Sequence, residues 1–182
     1  SSPIGSLAHL PSADISLGGA ESNLAIGLQR LGVQAAWISR VGADPLGTRV
    51  VREIRGEGVE VRCAVDPERP TGLMLKSRPT GTTTRVDYYR AGSAASALSP
   101  ADLPDGLIEE AEILHVSGIT PLLSPSAREA VRVAVERAVA AGTTVSLDVN
   151  HRSRLGSAEH LAELLEDVLE HVDVLFGGTE EL

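Results

Sequence analysis

GGAESNLAIGLQRLG, Gly18 to Gly32, is the stretch on which the fold turns. After the paired glycines, Glu21 to Leu31 reads as a helix, with Leu24, Ile26, Leu28 and Leu31 supplying apolar surface. Gly32 is placed to stop it. Ala35 to Val41 follows as a short apolar run, the pattern of a buried strand. Then comes VGADPLGTRVVREIRGEGVEV, Val41 to Val61. Its Asp44-Pro45 pair is an N-cap followed by proline at the first helical position, and the helix should run to about Ile54. Strand and helix alternate as they do in a parallel, doubly wound α/β sheet.

Downstream the period changes. Val59, Val61, Cys63 and Val65 alternate with polar residues, and Thr71–Arg78 and Thr84–Arg90 are two further strand candidates, with a turn at Thr80-Gly81-Thr82. No helix separates them. The expectation is a small antiparallel layer of three strands, inserted at about residues 59–91. The α/β rhythm then returns. Glu112–Val116 is a strand, and Ser124-Pro125 opens a helix to about Ala140, with Ser126 and Glu129 as an alternative capping box. Gly142 ends that helix, Thr144–Val149 is a strand, Ser157 caps a helix to about His171, and Val172–Phe176 is the last strand.

Composition narrows the function. The 182 residues are 42% hydrophobic and 23% charged, as in an ordinary globular protein. A net charge of −9 repels phosphate backbones, so nucleic acid is not an expected partner. No apolar run is long enough to cross a bilayer and no export signal opens the chain, so membrane association is not expected and a cytoplasmic location is. Cys63 is the only cysteine, which excludes an internal disulfide and a cysteine-built zinc site. The one lysine, Lys76, follows leucine, so there is no Walker A loop. G-x-G-x-x-G after a strand, H-E-x-x-H and G-x-S-x-G are also missing. The five histidines have no ligand-like spacing, and no metal ligand is assigned.

Three segments carry chemistry. Gly18 and Gly19 let a ligand approach the backbone at a helix start, and Asn23 adds a donor and an acceptor suited to sugar hydroxyls. The same residues would also serve a plain glycine turn. In Tyr88-Tyr89-Arg90, Tyr88 and Arg90 share a strand face and offer a phenol beside a guanidinium. A half-exposed strand with a solvated arginine would read the same. Asp148-Val149-Asn150-His151-Arg152 lies at the carboxyl end of a parallel strand, where open α/β sheets bind ligands. There Asp148 and Asn150 point to one side if the strand persists, and Arg152 lies just beyond, or all three merely close a loop.

Together these segments resemble the ribokinase-like (PfkB) carbohydrate kinase family. Within it, RVDYYRAGSAASAL (Arg85 to Leu98) is similar to the 2-keto-3-deoxygluconate kinases. The resemblance implies a ribokinase-like fold with a β lid. It also implies a kinase that phosphorylates a primary hydroxyl of a small sugar acid with ATP and Mg2+, and a homodimer formed through the lid. For the substrate pocket it implies Gly18, Gly19, Asn23, Met74 from the lid, Tyr88, Arg90 and Arg152. Asp148, Asn150 and Glu181 would support the nucleotide and magnesium side. Two departures stand out. Gly178 occupies the asparagine position of the family's N-x-x-E motif, and the later G-A-G-D motif with its catalytic aspartate lies beyond Leu182. The chain therefore reads as the sugar-binding part of a longer fold, without the family's first strand and without activity alone. Other readings are a kinase of fructose, ribose or a nucleoside, and a non-catalytic sugar-binding module.

Overall fold

The computed structural model describes residues 5, 8–9, 11–80 and 82–179. Helix α1 (Ala20–Arg30) leads into strand β1 (Ala36–Gly42), helix α2 (Pro45–Gly56) and strand β2 (Glu60–Asp66). A hairpin follows, β3 (Leu73–Ser77) and β4 (Arg85–Tyr89). Two short 3-10 turns then lead to β5 (Ile113–Ser117), α3 (Pro125–Ala141), β6 (Thr144–Asp148), α4 (Ala158–Leu169) and β7 (Val174–Phe176). Every parallel pair is a β–helix–β unit, which confirms the α/β class.

The helix starts follow their caps. Asp44 accepts a hydrogen bond from the Gly47 amide at 2.7 Å, with Pro45 in the first turn. Ser124, rather than the Ser126–Glu129 alternative, caps α3 through the Ala127 amide at 3.1 Å. Glu129 instead pairs with Arg132 on the helix surface. Gly142 ends α3 in the left-handed region at φ 78°, a conformation that glycine adopts without penalty. Ser157 caps α4, which stops at Leu169, short of the expected His171.

Two apolar clusters cover the strands on opposite faces. Ala25, Ile54, Val59 and Val61 are buried beneath α1 and α2, with Trp37 packed against them. Val131, Val135, Leu161 and Leu165 of α3 and α4 close over Val116, Val145 and Leu147, with Ile38 packed alongside. Trp37 and Ile38 are consecutive and join opposite clusters, as the period of a strand requires. This is doubly wound layering. Burying each such aliphatic side chain contributes about 1.5–3 kcal/mol, which is what holds the helices to the strands.

Two expectations need correction. Glu60–Asp66 is not part of an antiparallel layer. It pairs in parallel with β1, from Ala36 opposite Glu60 to Gly42 opposite Asp66. Val59 and Val61 are needed against Ile54 of α2, and that requirement places β2 beside β1. The antiparallel insertion is therefore only the two-stranded hairpin, with Met74 opposite Tyr88. The parallel sheet is also not continuous. β1–β2 and β5–β6–β7 form separate sheets, because no described strand runs between β1 and β5. The Thr80-Gly81-Thr82 turn falls partly outside the described residues.

The hairpin is rooted in the block that follows β1. Asp44 reaches beyond its own helix and accepts from the Thr71 amide at 2.7 Å and the Thr71 hydroxyl at 2.9 Å. Asp66, 2% exposed at the end of β2, accepts from the Glu68 and Arg69 amides and from Arg40, which also binds Asp102 at 2.8 Å. The Glu68 and Arg69 amides, with Arg40 behind them, pull the Asp66 carboxyl down to about 2 against its burial. An unfolded aspartate titrates near 4. The stabilisation is thus fully present above pH 4 and is lost as pH falls from 4 through 2. Thermal midpoints measured from pH 5 to pH 2 should fall more steeply for the native protein than for Asp66→Asn. Parallel curves would remove Asp66 from the hairpin root.

Candidate functional site

The hairpin extends from this root towards the start of α1. A Cβ built on Gly18 would lie 2.6 Å from the Met74 methyl, so the Met74 tip rests on Gly18. Only a residue without a side chain lets it sit there. Gly19 is the N-cap of α1 in extended backbone, and its carbonyl accepts from the Asn23 amide at 3.0 Å.

Met74 and Tyr88 are cross-strand partners, so their side chains leave the hairpin on the same face. Arg90 follows one residue after β4 and returns over that face, its guanidinium 4.3 Å from the centre of the Tyr88 ring. The shared face expected of Tyr88 and Arg90 is present. The Nε and Nη2 atoms of Arg90 are buried and have no hydrogen-bond partner. Burial lowers the Arg90 pKa, and nearby Arg152 pushes the same way, while Tyr88 and Glu21 favour the charge. An arginine stays protonated in proteins, so the guanidinium carries a desolvation cost that only an anion offsets well.

Arg152 lies across an open cleft of about 480 Å³ from β4, and Tyr88, Val86, Thr84 and Arg154 share its lining. Two internal bonds shape the Arg152 loop. The Leu155 amide donates to the Arg152 carbonyl at 2.7 Å, and a His151 ring nitrogen meets the Gly156 carbonyl at 2.9 Å. Tyr88 and Arg152 thereby share the cleft; Arg90 lies over the Tyr88 ring and near enough to Arg152 for the two charges to interact, but neither it nor Met74 nor Gly18 lines that cleft. Asn23 is exposed one turn into α1 and does not line this cleft.

The strand carrying Asp148 ends at that residue, so Asp148 and Asn150 do not share a side. Asn150 takes a left-handed conformation at φ 43°, which asparagine tolerates. It is 7% exposed, and its amide points to the Ser117 hydroxyl at 3.4 Å. It thereby ties the end of β6 to the end of β5. The Asp148 carbonyl accepts from the Gly118 amide at 2.9 Å. Glu181 lies outside the described residues. Among the described residues no cluster of His, Cys, Asp or Glu could hold a metal ion.

Other side chains behave as ordinary structure. His115 meets the Ser146 hydroxyl at 2.7 Å, and burial lowers its pKa. Burial also raises the Cys63 thiol to about 11, which keeps it protonated and unreactive. Two residues at the site were not singled out in the sequence. Glu21 accepts from the Thr120 hydroxyl at 2.9 Å and acts on Arg90. Its place two residues after the diglycine was the available signal. Arg154 lines the cleft two residues beyond Arg152, and no motif marked it.

The model of the pfkB family carbohydrate kinases matches residues 4–182. A 2-dehydro-3-deoxygluconokinase of Bacillus subtilis is 39% identical over 168 residues, covering 91% of this chain and 52% of the relative. The crystal structure of a 2-dehydro-3-deoxygluconokinase from Thermotoga maritima superposes with a TM-score of 0.91 at 30% identity, covering 97% of this chain and 55% of that one. A sugar kinase of Pyrococcus horikoshii, solved in complex with ATP, superposes with a TM-score of 0.84 at 27% identity, covering 95% of this chain and 57% of that one. The chain thus spans about half the length of these relatives. No helix among the described residues is long and apolar enough to cross a membrane.

Proposed function

Since the chain belongs to the pfkB family of carbohydrate kinases, we propose that it forms the sugar-acid pocket and lid of a kinase acting on 2-keto-3-deoxygluconate, which is another name for 2-dehydro-3-deoxygluconate. The observation that carries this reading is Arg90, a charged side chain with two buried, unpartnered nitrogens aimed beside Tyr88. A carboxylate presents two oxygens to a guanidinium fork and would relieve that desolvation. A neutral sugar would leave the charge uncompensated.

In this account Arg90 and Arg152 take the carboxylate and the Tyr88 ring packs on the carbon chain. Gly18 and Gly19, at the start of α1, receive the hydroxyls. Met74, closing on Gly18, excludes water from the pocket. These residues bind and orient the substrate, presenting its primary hydroxyl for transfer. ATP, with magnesium, supplies the phosphoryl group when bound. Among the described residues no group of three or more His, Cys, Asp or Glu could hold a metal ion, and phosphoryl transfer is assigned to the protein at its relatives' full length. A cytoplasmic location fits an ATP-dependent sugar kinase. A homodimer through the hairpin is supported by Leu73 and Tyr89, both exposed on its outer face.

The test is a thermal-shift panel on the complete protein with 2-keto-3-deoxygluconate, gluconate, fructose, ribose and adenosine, with phosphate transfer measured in parallel. A ligand at one hundred times its Kd stabilises by about 2.7 kcal/mol, enough to raise the midpoint by several degrees. The keto acid should give the largest shift and be phosphorylated, while the 182-residue polypeptide transfers no phosphate. A larger shift with fructose, ribose or adenosine would overturn the substrate assignment. Transfer by the 182 residues alone would overturn the division of labour.

A further inference from the structure

The hairpin meets the Arg152 loop at a contact the substrate reading does not use. Arg154 donates from Nη1 to the main-chain oxygen of Val86 on β4 at 2.6 Å. The same nitrogen lies 3.7 Å from the Asp87 carboxylate, which Arg85 also holds at 3.0 Å. Asp87 is thus shared by a guanidinium of its own strand and one from the body of the protein. Val86 is two residues before Tyr88, and Arg154 two residues after Arg152. The internal bonds of residues 151–156 fix both arginines to one small turn. Any movement of that turn shifts Arg152 and the hairpin anchor together.

From this geometry we propose that Arg154 is a positioning residue that latches the hairpin over the cleft, so that the loop presenting Arg152 also sets closure of the lid. Arg154 belongs to neither apolar cluster, and its side chain is 58% exposed. Removing it leaves the core intact. The hairpin would then be held at its root, by Asp44 and Asp66, with its β4 side released. Tyr88 and Arg90 ride on that side, so a released hairpin presents them to the substrate a smaller fraction of the time. A residue needed only for the closed arrangement acts on apparent affinity through the closed population. Lysine can reach a carbonyl with a charged donor and should restore part of the latch; leucine cannot.

The latch itself is read without ligand, while its effect on KM rests on the sugar-acid reading above. The experiment is amide hydrogen exchange on the complete protein, native and with Arg154→Leu or Arg154→Lys, together with KM and kcat for 2-keto-3-deoxygluconate. Arg154→Leu should exchange several-fold faster across residues 73–89 in the absence of ligand, with α3 and β6 unchanged. Its KM should rise roughly tenfold, the factor set by one charge-assisted hydrogen bond, with a smaller change in kcat. Arg154→Lys should recover most of both effects. Unchanged exchange in the hairpin, or faster exchange throughout the molecule, would overturn the latch. Faster hairpin exchange in a protein that binds no keto acid would uphold the latch and overturn the substrate reading instead.

Discussion

Replacing Arg90 with methionine should raise the KM of the complete protein for 2-keto-3-deoxygluconate by about thirtyfold or more, because removing one partner of a buried charge pair costs about 2–5 kcal/mol. The sign of the accompanying stability change makes this result specific. In the ligand-free protein the guanidinium has two buried nitrogens without hydrogen-bond partners among the described residues. Burial already works against its charge. Methionine keeps the apolar stem over Tyr88 and removes that cost. The ligand-free midpoint of Arg90→Met should therefore equal or exceed the native one while binding collapses. A residue that only held the hairpin together would lower both. An unchanged KM would mean that the carboxylate is bound elsewhere.

The second large effect belongs to Gly42, at the junction of β1 and the hairpin root. A Cβ there would lie 2.6 Å from the Arg69 carbonyl oxygen and 2.7 Å from the Thr71 amide nitrogen, with the Asp44 carboxylate as close. Two of these are backbone atoms of the segment that carries the hairpin, so they cannot swing aside as a side chain would. The Gly42 amide also donates to the Thr71 hydroxyl at 3.0 Å. Gly42→Ala must push residues 69–71 away and break the bonds from Thr71 to Asp44. Overpacking of this kind costs about 1–3 kcal/mol. At roughly 2–4 °C per kcal/mol for a domain of this size, the midpoint should drop by roughly 3–10 °C. Gly27→Ala is the control. It lies mid-helix with nothing within 4 Å of the added Cβ, and should be neutral or stabilising. Equal midpoints for the two variants would show that the root of the hairpin is not tightly packed.

The same residues show what could be read from the chain. The helices were legible because their starts are local chemistry. Asp44-Pro45, Ser124-Pro125 and Ser157 each satisfy an amide a few residues on. Strand pairing was not legible, because alternation at Val59 to Val65 suits either a half-exposed antiparallel layer or a strand packed on α2. The decision came from Ile54, which needs Val59 and Val61 beneath it. The common face of Tyr88 and Arg90 followed from the period of two. The electrostatic setting of Arg90 did not, since the charges of Arg152 and Glu21 that act on it arrive from distant segments. Asn150 was read as continuing the strand, whereas β6 ends at Asp148 and Asn150 takes a left-handed backbone with its amide towards Ser117. Arg154 carried no periodic or motif signal and became visible only once β4 and the 151–156 turn lay side by side.

The most direct test of the central claim is a crystal structure of the complete protein with 2-keto-3-deoxygluconate bound. Both carboxylate oxygens should lie within hydrogen-bond reach, about 3 Å, of Nε and Nη2 of Arg90, with Arg152 closing from the other side and the Met74 tip still on Gly18. A bound sugar acid whose carboxylate points away from Arg90, leaving those two nitrogens unpartnered, would contradict the account.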